Sequence, residues 1–532
     1  MLRNKILMPL FLVLLEYNYH WQKIKKEVEK NPYFPNHTVF LKMLIVEKNM
    51  KEGCMMNTIV NEKLIPFKEL EQKIFEYICD LGREITQIIL ERYDEELKNG
   101  RDKKKLRCKG TRRTTIKTVY GEVEYGRNVY KGKDEEGRTI WIYLLDEAMS
   151  MDKIGMISTN LAEKIAASVT ENPYRVTAEI ISSTCGQAIS HGGVWNLIQQ
   201  LGERISKEEN VLVSEMNADV SRGNEITKIL FEEMDGVWLK MQGKDHKRKP
   251  KQEMKVAVMY EGWKEDGKQN SRLSNKLVCA GMEKAPEFHA KREAFLRNKY
   301  NVDEIELRIL NGDGGSWITD PYEPETVFQL DRFHIHQDIR RKIHDKKAQK
   351  DITELFEAEK IEEMFEYIKM YADSVTSENE NDKQSSNALK LYEYLENNRK
   401  GLQSYQKRGL ELPEPKEGII YKNMGVQENQ NCTTITMRMK GRRMRWSNNG
   451  ANNMAKVLAS KENKQLYEII ERYTDGLVTA MQMEEIIPVL SVAKAPKKDG
   501  KGNVYVDLIS HHMPILEAMQ TASRKAFKRA FA

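Results

Sequence analysis

Asp235 and Asp313 are each followed by glycine and each stand at the end of a run of strand-forming residues. A carboxylate so placed projects from a rigid scaffold, while the glycine lets backbone or substrate come close. Hard divalent ions such as Mg²⁺ or Mn²⁺ are held by one or two carboxylates plus phosphate oxygens of a substrate. Two such ions about 4 Å apart stabilise both the attacking and the leaving oxygen of an in-line displacement at phosphorus. That chemistry calls for a third acid from a later helix or loop, and spacing alone leaves Glu414, Glu417 and Glu428 open. Glu428 is the choice, because it directly precedes a long basic segment without acids. The plainer reading is that Asp-Gly is a common turn; two such pairs on the strands of one sheet weigh against it. Asp331 and His334 lie three apart and would share one helix face, where a surface ion pair beside His336 is the plain alternative. His334 and His336, two apart, would point to different faces, which argues against a histidine metal site.

These residues need a scaffold. Ile229 to Met241 reads as a strand pair bent at Asp235-Gly236, Met254 to Tyr260 and Lys276 to Ala280 as two more strands, Glu287 to Tyr300 as a helix, and Ile305 to Leu310 as an apolar strand. Three meandering strands, a helix and a further strand give the order of a ribonuclease-H-like α/β domain. Helical spacing follows from Gln329 to Ala372 and from Asn387 to Leu402, with polar Ser374 to Ser386 as the loop between them. Upstream, Phe67 to Leu97 carries apolar residues at near-heptad steps, a long amphipathic helix packed on its own domain or forming a dimer seam. Thr114 to Tyr130 and Thr139 to Leu145 alternate as a small β-element. Ser158 to Ile205 reads as three short helices, the third running from a Ser190 cap to Gly202. Two short helices joined by a tight glycine turn are the helix-turn-helix signature, although plain helical hairpins look the same. On the third, Val194, Leu197, Ile198 and Leu201 would be buried, while Asn196, Gln199 and Gln200 would face outward, able to bond an adenine edge.

The charge pattern names a partner class. The 532 residues hold 86 Lys and Arg against 80 Asp and Glu, a net +6, and are 40% hydrophobic, which excludes a largely disordered chain. Residues 98–118 hold ten Lys or Arg against Asp102 alone, and residues 429–461 hold seven with no acid, so the rest of the chain is net acidic. Two concentrated basic segments suit a polyanion. Lys103, Lys104, Lys105, Arg112 and Arg113 form the first set of phosphate contacts. Arg438, Lys440, Arg442, Arg443 and Arg445, with Trp446 as a stacking surface, form the second. A merely solvated face is the alternative, although surfaces normally intersperse signs. Six isolated cysteines without a CxxC pair fit a reducing compartment. The run Ile6 to Leu15 is broken by Pro9, falls well short of the roughly 20 residues a span needs, and is followed by no small-residue cleavage site. The expectation is a buried or fraying N-terminal helix in a cytoplasmic, nucleoid-associated protein with no membrane contact.

Several segments taken together carry a family likeness. EEMDGVWLKMQGK, MYEGW, LNGDGGSWI, QLDRFH and RMKGRRMRWSNNGANNMA, with YGEVEYGRNVY, LLDEAM and SHGGVWNL upstream, resemble the ISLre-group bacterial insertion-sequence transposases. That family is of DDE type, distantly mutator-like, and was formerly an uncharacterised protein family; the likeness covers roughly Phe67 to Ala459. It implies a DNA transposase in which Asp235, Asp313 and Glu428, the last in Gly425-Val426-Gln427-Glu428, hold two Mg²⁺ or Mn²⁺ ions for strand cleavage and strand transfer. By the mutator-like pattern of an acid, two residues and a histidine, His334 would orient the site or contact the scissile phosphate. The Asn429-Gln430-Asn431 run departs from the smaller, more apolar residues expected there. Double-stranded DNA, both element ends and target, is the implied partner, bound by a homo-oligomer. The expected fold is multidomain α/β plus α: an N-terminal helical extension (1–66), the long helix and β-element (67–150), a helix-turn-helix-like region (151–215), and a ribonuclease-H-like catalytic domain in two parts (216–343 and 414–470). A helical insertion (344–413) separates those parts, and a tail (471–532) follows. A non-catalytic DNA-binding descendant, or a metal-dependent nuclease without strand transfer, is the alternative.

Overall fold

The computed structural model describes residues 66–149, 157–220, 223–266, 270–319, 326–379 and 382–474, with 497–498 and 504–505. The N-terminal run Ile6 to Leu15 lies outside the described residues. The chain divides into two compact units, 1–92 with 479–532, and 93–478. Helix α1 (Phe67–Gly100) crosses the division in sequence, and the apolar periodicity of 67–97 is that helix.

Within the second unit, β1 (Arg107–Thr118), β2 (Gly121–Lys133) and β3 (Thr139–Ile142) form an antiparallel meander. Its inner side is fixed to the end of α1 by the buried Asp94, which accepts from the amide of Asn128 at 2.9 Å and from its side chain at 2.5 Å. After α2 (Leu144–Ala148) come α3 (Thr159–Val169), α4 (Tyr174–Thr184) and α5 (His191–Asn217). Ser158 and Ser190 cap α3 and α5 by accepting from Leu161 and Gly193 amides, satisfying otherwise orphaned donors. Gly202 does not end the third helix, which runs fifteen residues further to Asn217. A Cβ on Gly202 would sit 2.4 Å from Asn453, so glycine there serves close packing.

The central sheet is assembled from β4 (Ile229–Lys240), β5 (Lys251–Tyr260), β8 (Leu277–Gly281), β9 (Leu307–Gly312) and β10 (Val327–Leu330). A short α6 (Gly243–Arg248) joins β4 to β5, and the hairpin β6 (Gly262–Asp266) and β7 (Asn270–Ser274) precedes β8. The order is β10-β9-β4-β5-β8: β4, β5 and β8 pair antiparallel, whereas β9 runs parallel to β4 and β10 parallel to β9. The parallel return is made by α7 (Ala285–Lys299), which covers one face with Phe288, Leu296 and, from α8 (Ser316–Thr319), Ile318. Ile229 to Lys240 is one continuous strand, not a bent pair, so Asp235 sits mid-strand.

The other face carries α3, α4 and α5, the interrupted helix α13 (Gln427–Met439), and α14 (Asn448–Glu462) with α15 (Leu466–Thr474), all sharing one core with Phe231, Val237, Val256 and Val258. The helices read as a separate DNA-binding module are therefore part of the sheet's own packing. Helices α9 (Arg332–Lys342), α10 (Lys346–Glu357), α11 (Ile361–Asn379) and α12 (Asp382–Asn397) build a second core around Ile339, Ile352, Phe356, Ile368 and Leu391. The expected loop 374–386 is mostly helix, α11 reaching Asn379 and α12 starting at Asp382. Chain without regular helix or strand leads from there to α13, which comprises Gln427–Gln430, a π-helical stretch Asn431–Thr436 and Met437–Met439.

Candidate active site

Strand register brings the candidate residues together. Met234 pairs with Gly312 across β4 and β9, and Gly312 pairs with Leu330 across β9 and β10. The next residue on each chain is an aspartate, so Asp235, Asp313 and Asp331 stand side by side where the two outer strands end. In open α/β sheets ligands bind at the carboxyl ends of parallel strands. One residue before the paired level lie Glu233, Asn311 and Gln329, also in register. Because side chains alternate, all six point to one sheet face, a polar double row in an otherwise apolar surface.

The lower row is buried and fully engaged. Glu233, with no exposed surface, accepts from the Tyr260 hydroxyl at 2.5 Å and the Asn311 amide at 3.0 Å. The backbone amides of Gly425, Val426 and Gln427 donate to it at 3.1–3.2 Å, so its carboxylate pins the start of α13. Burial pushes the Glu233 carboxyl up, against these donors. Gln329 donates to Asn311 at 3.4 Å and accepts from the Tyr405 amide at 3.0 Å, tying β10 to the chain that follows α12.

The upper row is where charge accumulates. Asp235 Oδ1 accepts from the Gly236 amide at 2.7 Å, and Oδ2 accepts from Asn431 Nδ2 at 2.7 Å. Gln427 donates to Asn431 Oδ1 at 2.9 Å, which orients that amide so that its NH₂ faces the aspartate. Asp313 Oδ1 accepts from the Gly315 amide at 2.9 Å, and its carbonyl accepts from the Tyr394 hydroxyl of α12 at 2.9 Å. Gly314 has φ +80°, and a Cβ there would meet Asn398 at 2.3 Å, so the Asp-Gly-Gly turn is clamped by the helical insertion. Asp331 caps α9 by accepting from Phe333 at 2.8 Å; burial, then Asp235, pushes its carboxyl up. Glu253 arrives from β5, its carboxylate occupying the space a Cβ on Gly236 would need. Burial raises it, Lys255 opposes, and the charges of Asp313 and Asp235 add smaller upward pushes. His334, one turn into α9, stands 3.7 Å from Asp235 Oδ1. That pairing, with Asp331 and Asp313 behind it and burial opposing, lifts the imidazole to about 9, so it is cationic at neutral pH.

The other sequence candidates are placed differently. Glu428 is exposed on the first turn of α13; the residue of that helix that reaches Asp235 is Asn431, in the run that departs from the family pattern. The π-helical stretch begins at Asn431, and such wide turns gather at functional sites. Arg438 is buried, donates to the Val169 carbonyl at 2.5 Å and lies over the rings of Tyr174 and Trp446 at 5.4 and 5.6 Å. Trp446 is buried too, its Nε1 donating to the Met439 carbonyl at 2.9 Å. Neither is free to touch nucleic acid, whereas Lys440, Arg442, Arg443 and Arg445 are exposed. Gln199 does not face outward: it is buried, accepting from Asn453 at 2.9 Å, while Asn196 is exposed and Gln200 partly so. Lys103, Lys104 and Lys105 are exposed on the turn before β1; Arg112 and Arg113 are exposed on that edge strand, Arg113 paired with Glu124 at 3.1 Å. Glu233, Glu253, Asn311, Gln329 and Asn431 were not singled out by sequence. The available signal was a thrice-repeated polar-x-Asp: Glu-Met-Asp, Asn-Gly-Asp and Gln-Leu-Asp.

The donors suit a hard cation, since Asp235 and Asp313 offer carboxylate oxygens from neighbouring strands. Among the described residues no three His, Cys, Asp or Glu side chains form a ready cage. Further positions on an ion would fall to water and substrate oxygens, as Mg²⁺ prefers.

The sequence model of a family described as Uncharacterised protein family (UPF0236) matches residues 60–472. The chain belongs to that family. Among its relatives is a UPF0236 protein of Caldanaerobacter subterraneus subsp. tengcongensis, 26% identical over 322 residues, covering 59% of this chain and 61% of the relative. Another from the same organism is 24% identical over 410 residues, covering 75% of this chain and 80% of the relative. The UPF0236 protein in vanSb 3'region of Streptococcus gallolyticus is 23% identical over 414 residues, covering 76% and 84%. The chain thus spans less than two thirds of the first relative's length and most of the other two. Among the described residues no helix is long and apolar enough to cross a membrane.

Proposed function

We propose that this protein is a metal-dependent DNA transposase with a ribonuclease-H-like catalytic domain. The observation that carries the reading is the register: Asp313 and Asp331, where β9 and β10 end, stand in line with Asp235 in the middle of β4, and His334 lies against Asp235. The strand order β10-β9-β4-β5-β8, antiparallel on one side of β4 and parallel on the other, supports it, as do the transposase-like segments. The first relative's name joins eleven locus designations of one organism, which fits a sequence copied within a genome. Asp235 and Asp313 would hold two divalent ions. The third carboxylate would be Asp331, which is on the same sheet face as Asp235 and feels its charge, in place of exposed Glu428. When bound, the ions activate water or a 3′-hydroxyl and stabilise the leaving oxygen.

The chain's own residues supply geometry and charge. Gln427 and Asn431 hold Asp235 in one rotamer, Glu233 anchors the helix that carries them, and Tyr394 with Asn398 fixes the loop of Asp313. His334, cationic below about pH 9, lies where it can bond a phosphate oxygen or release a proton to a leaving 3′-oxygen. The test is strand cleavage by full-length Asp235→Asn on a DNA duplex with Mg²⁺ or Mn²⁺. Cleavage is expected to disappear while DNA retention in a gel survives; cleavage at the wild-type rate ends the assignment. A strand-transfer assay separates a transposase from a nuclease that cuts without joining.

A further inference from the structure

The connection from Lys240 to Lys251 holds six Lys or Arg against one acid, Asp245. It is exposed along Lys244, Lys247, Arg248 and Lys249. Asp245, half-buried, accepts from the Asn448 amide at 2.8 Å and forms no ion pair with these cations among the described residues. A second basic run, Lys440 to Arg445, lies about 200 residues later yet meets the first directly. The Trp446 amide donates to the Lys240 carbonyl at 3.0 Å, and the Gln242 amide donates to the Trp446 carbonyl at 2.8 Å. Asn448 and Gln252 close the junction at 2.8 Å. Two distant basic segments are thereby knitted into one surface. None of its cations pairs with an acid among the described residues.

The loop of that surface is held rather than floppy. Met439 and Trp446, at its two ends, are both buried, and Met444 donates back to the Gly441 carbonyl at 3.2 Å. Arg442 and Arg443 both adopt the left-handed region, with φ of 52° and 57°. For residues with a Cβ this conformation carries strain and persists only where surrounding structure imposes it. Both arginines are thus held as an exposed pair by a fixed backbone. The patch continues from the same strand that carries Asp235: five residues at about 3.3 Å each separate Asp235 from Lys240. A duplex lying on the patch could reach the acids within roughly half a helical turn.

We infer that the β4–β5 connection and the Lys440–Arg445 loop together form a docking surface for the phosphate backbone of double-stranded DNA. The inference rests on the transposase reading for its choice of polyanion, but not on catalysis. Arg438 and Trp446 are its floor, not its contacts. It is tested with the full chain in EDTA, by the anisotropy of a labelled 30-base-pair duplex of random sequence titrated across KCl. Each lost phosphate contact should lower the slope of log affinity against log salt by about 0.9. Lys244→Ala with Lys247→Ala, and separately Arg442→Gly with Arg443→Gly, should each flatten the slope by about two contacts. Each should also weaken binding roughly 10- to 100-fold near 150 mM salt. The glycine pair is at ease with positive φ, so its melting temperature should hold or rise, which separates lost charge from lost fold. Wild-type slopes in both variants, or tighter binding of single-stranded DNA or anionic phospholipid vesicles than of duplex, overturn the surface. Because EDTA removes cleavage from the measurement, a patch that binds beside an inert Asp235 site would sink the enzyme reading alone. Metal-dependent cleavage with unaltered binding in both variants would sink the surface alone.

Discussion

Two clusters of acidic side chains in the second unit answer burial in opposite ways. Where α5, α7 and α14 meet, Lys456 lies 2.8 Å from both Glu209 and Glu283, and Lys291 lies 2.7 Å from Glu283 and 3.4 Å from Glu209. Two cations face two buried anions, and the matched charges settle each other: burial alone would raise Glu283, but the two lysines hold it down at about 2. Where β9 and β10 end beside Asp235, three carboxylates, Asp235, Asp313 and Asp331, share the imidazole of His334. There Asp331 and Glu253 are pushed up and His334 is lifted to about 9. A balanced cluster needs no further ligand. An unbalanced one, open at the edge of a sheet, is where a cation or a proton transfer is wanted.

Exchange of one side chain in each cluster should therefore have opposite signatures. Asp235→Asn is expected to reduce metal-dependent cleavage by about a thousandfold or more, the scale of losing a principal electrostatic group. Its urea midpoint should hold or rise, because like charge is relieved. Lys456→Met should cost about 3–5 kcal/mol in urea unfolding, since it leaves Lys291 alone against two buried glutamates. A stable Lys456→Met variant would show that the balance is not what holds α14 to α5. Gly202→Ala strikes the same helix pair sterically, with Asn453 backbone and side-chain atoms within 2.4–2.6 Å of the new Cβ. About 1–3 kcal/mol of overpacking should appear in the same measurement.

The clusters also separate along the pH axis. Glu283 is depressed in the fold, so its contribution is present above the ordinary carboxylate value and is lost only as pH falls toward about 2. His334 is raised, so its contribution is full below about 6.5 and disappears as pH rises through about 9. That shift is worth roughly 3 kcal/mol at most. The stability difference between wild type and His334→Asn, followed by urea unfolding from pH 6 to 10, should shrink across that window. A constant difference would mean that His334 is held by packing and not by the aspartates.

What could be read from the sequence follows the same division. The long helix, the meander with its parallel return, and the pairing of Asp235 with Asp313 depend on local periodicity and on strand order, which a linear pattern records. Charge taken by composition misleads wherever a cation's partner lies far away in the chain. Arg438 counted as a phosphate contact, but its carbonyl acceptor is Val169 and its ring partner Tyr174. Lys456 counted in the same basic run, and it is neutralised by Glu209 and Glu283. The apolar stripe of Val194, Leu197, Ile198 and Leu201 omits Gln199 and so places it outward; α14 packs on its side through Asn453, so the outward face narrows to Asn196 and part of Gln200. The basic connection after β4 carried a comparable excess and escaped notice because it is short. Its importance comes from the hydrogen bonds to Trp446, which no spacing encodes.

The smallest expected effect divides the unbalanced cluster itself. Glu428 and Asn431 are three residues apart on α13, and the sequence pattern favoured the glutamate. The backbone favours the amide: Glu233 gathers the amides of 425–427, Gln427 orients Asn431, and Asn431 donates to Asp235, which leaves Glu428 on the exposed side. Asn431→Ala should lower cleavage about 10- to 100-fold, as loss of a ligand-orienting partner does, with a shifted metal dependence. Glu428→Gln, which removes one exposed charge, should leave cleavage within about twofold. If Glu428→Gln instead abolishes cleavage while the fold and DNA binding persist, α13 must turn about its Glu233 anchor before chemistry, bringing the glutamate in as Asn431 leaves. The amide contacts of Glu233 would then be a pivot and not a fixed mount, and Glu233→Gln should weaken cleavage by both wild type and Asn431→Ala alike.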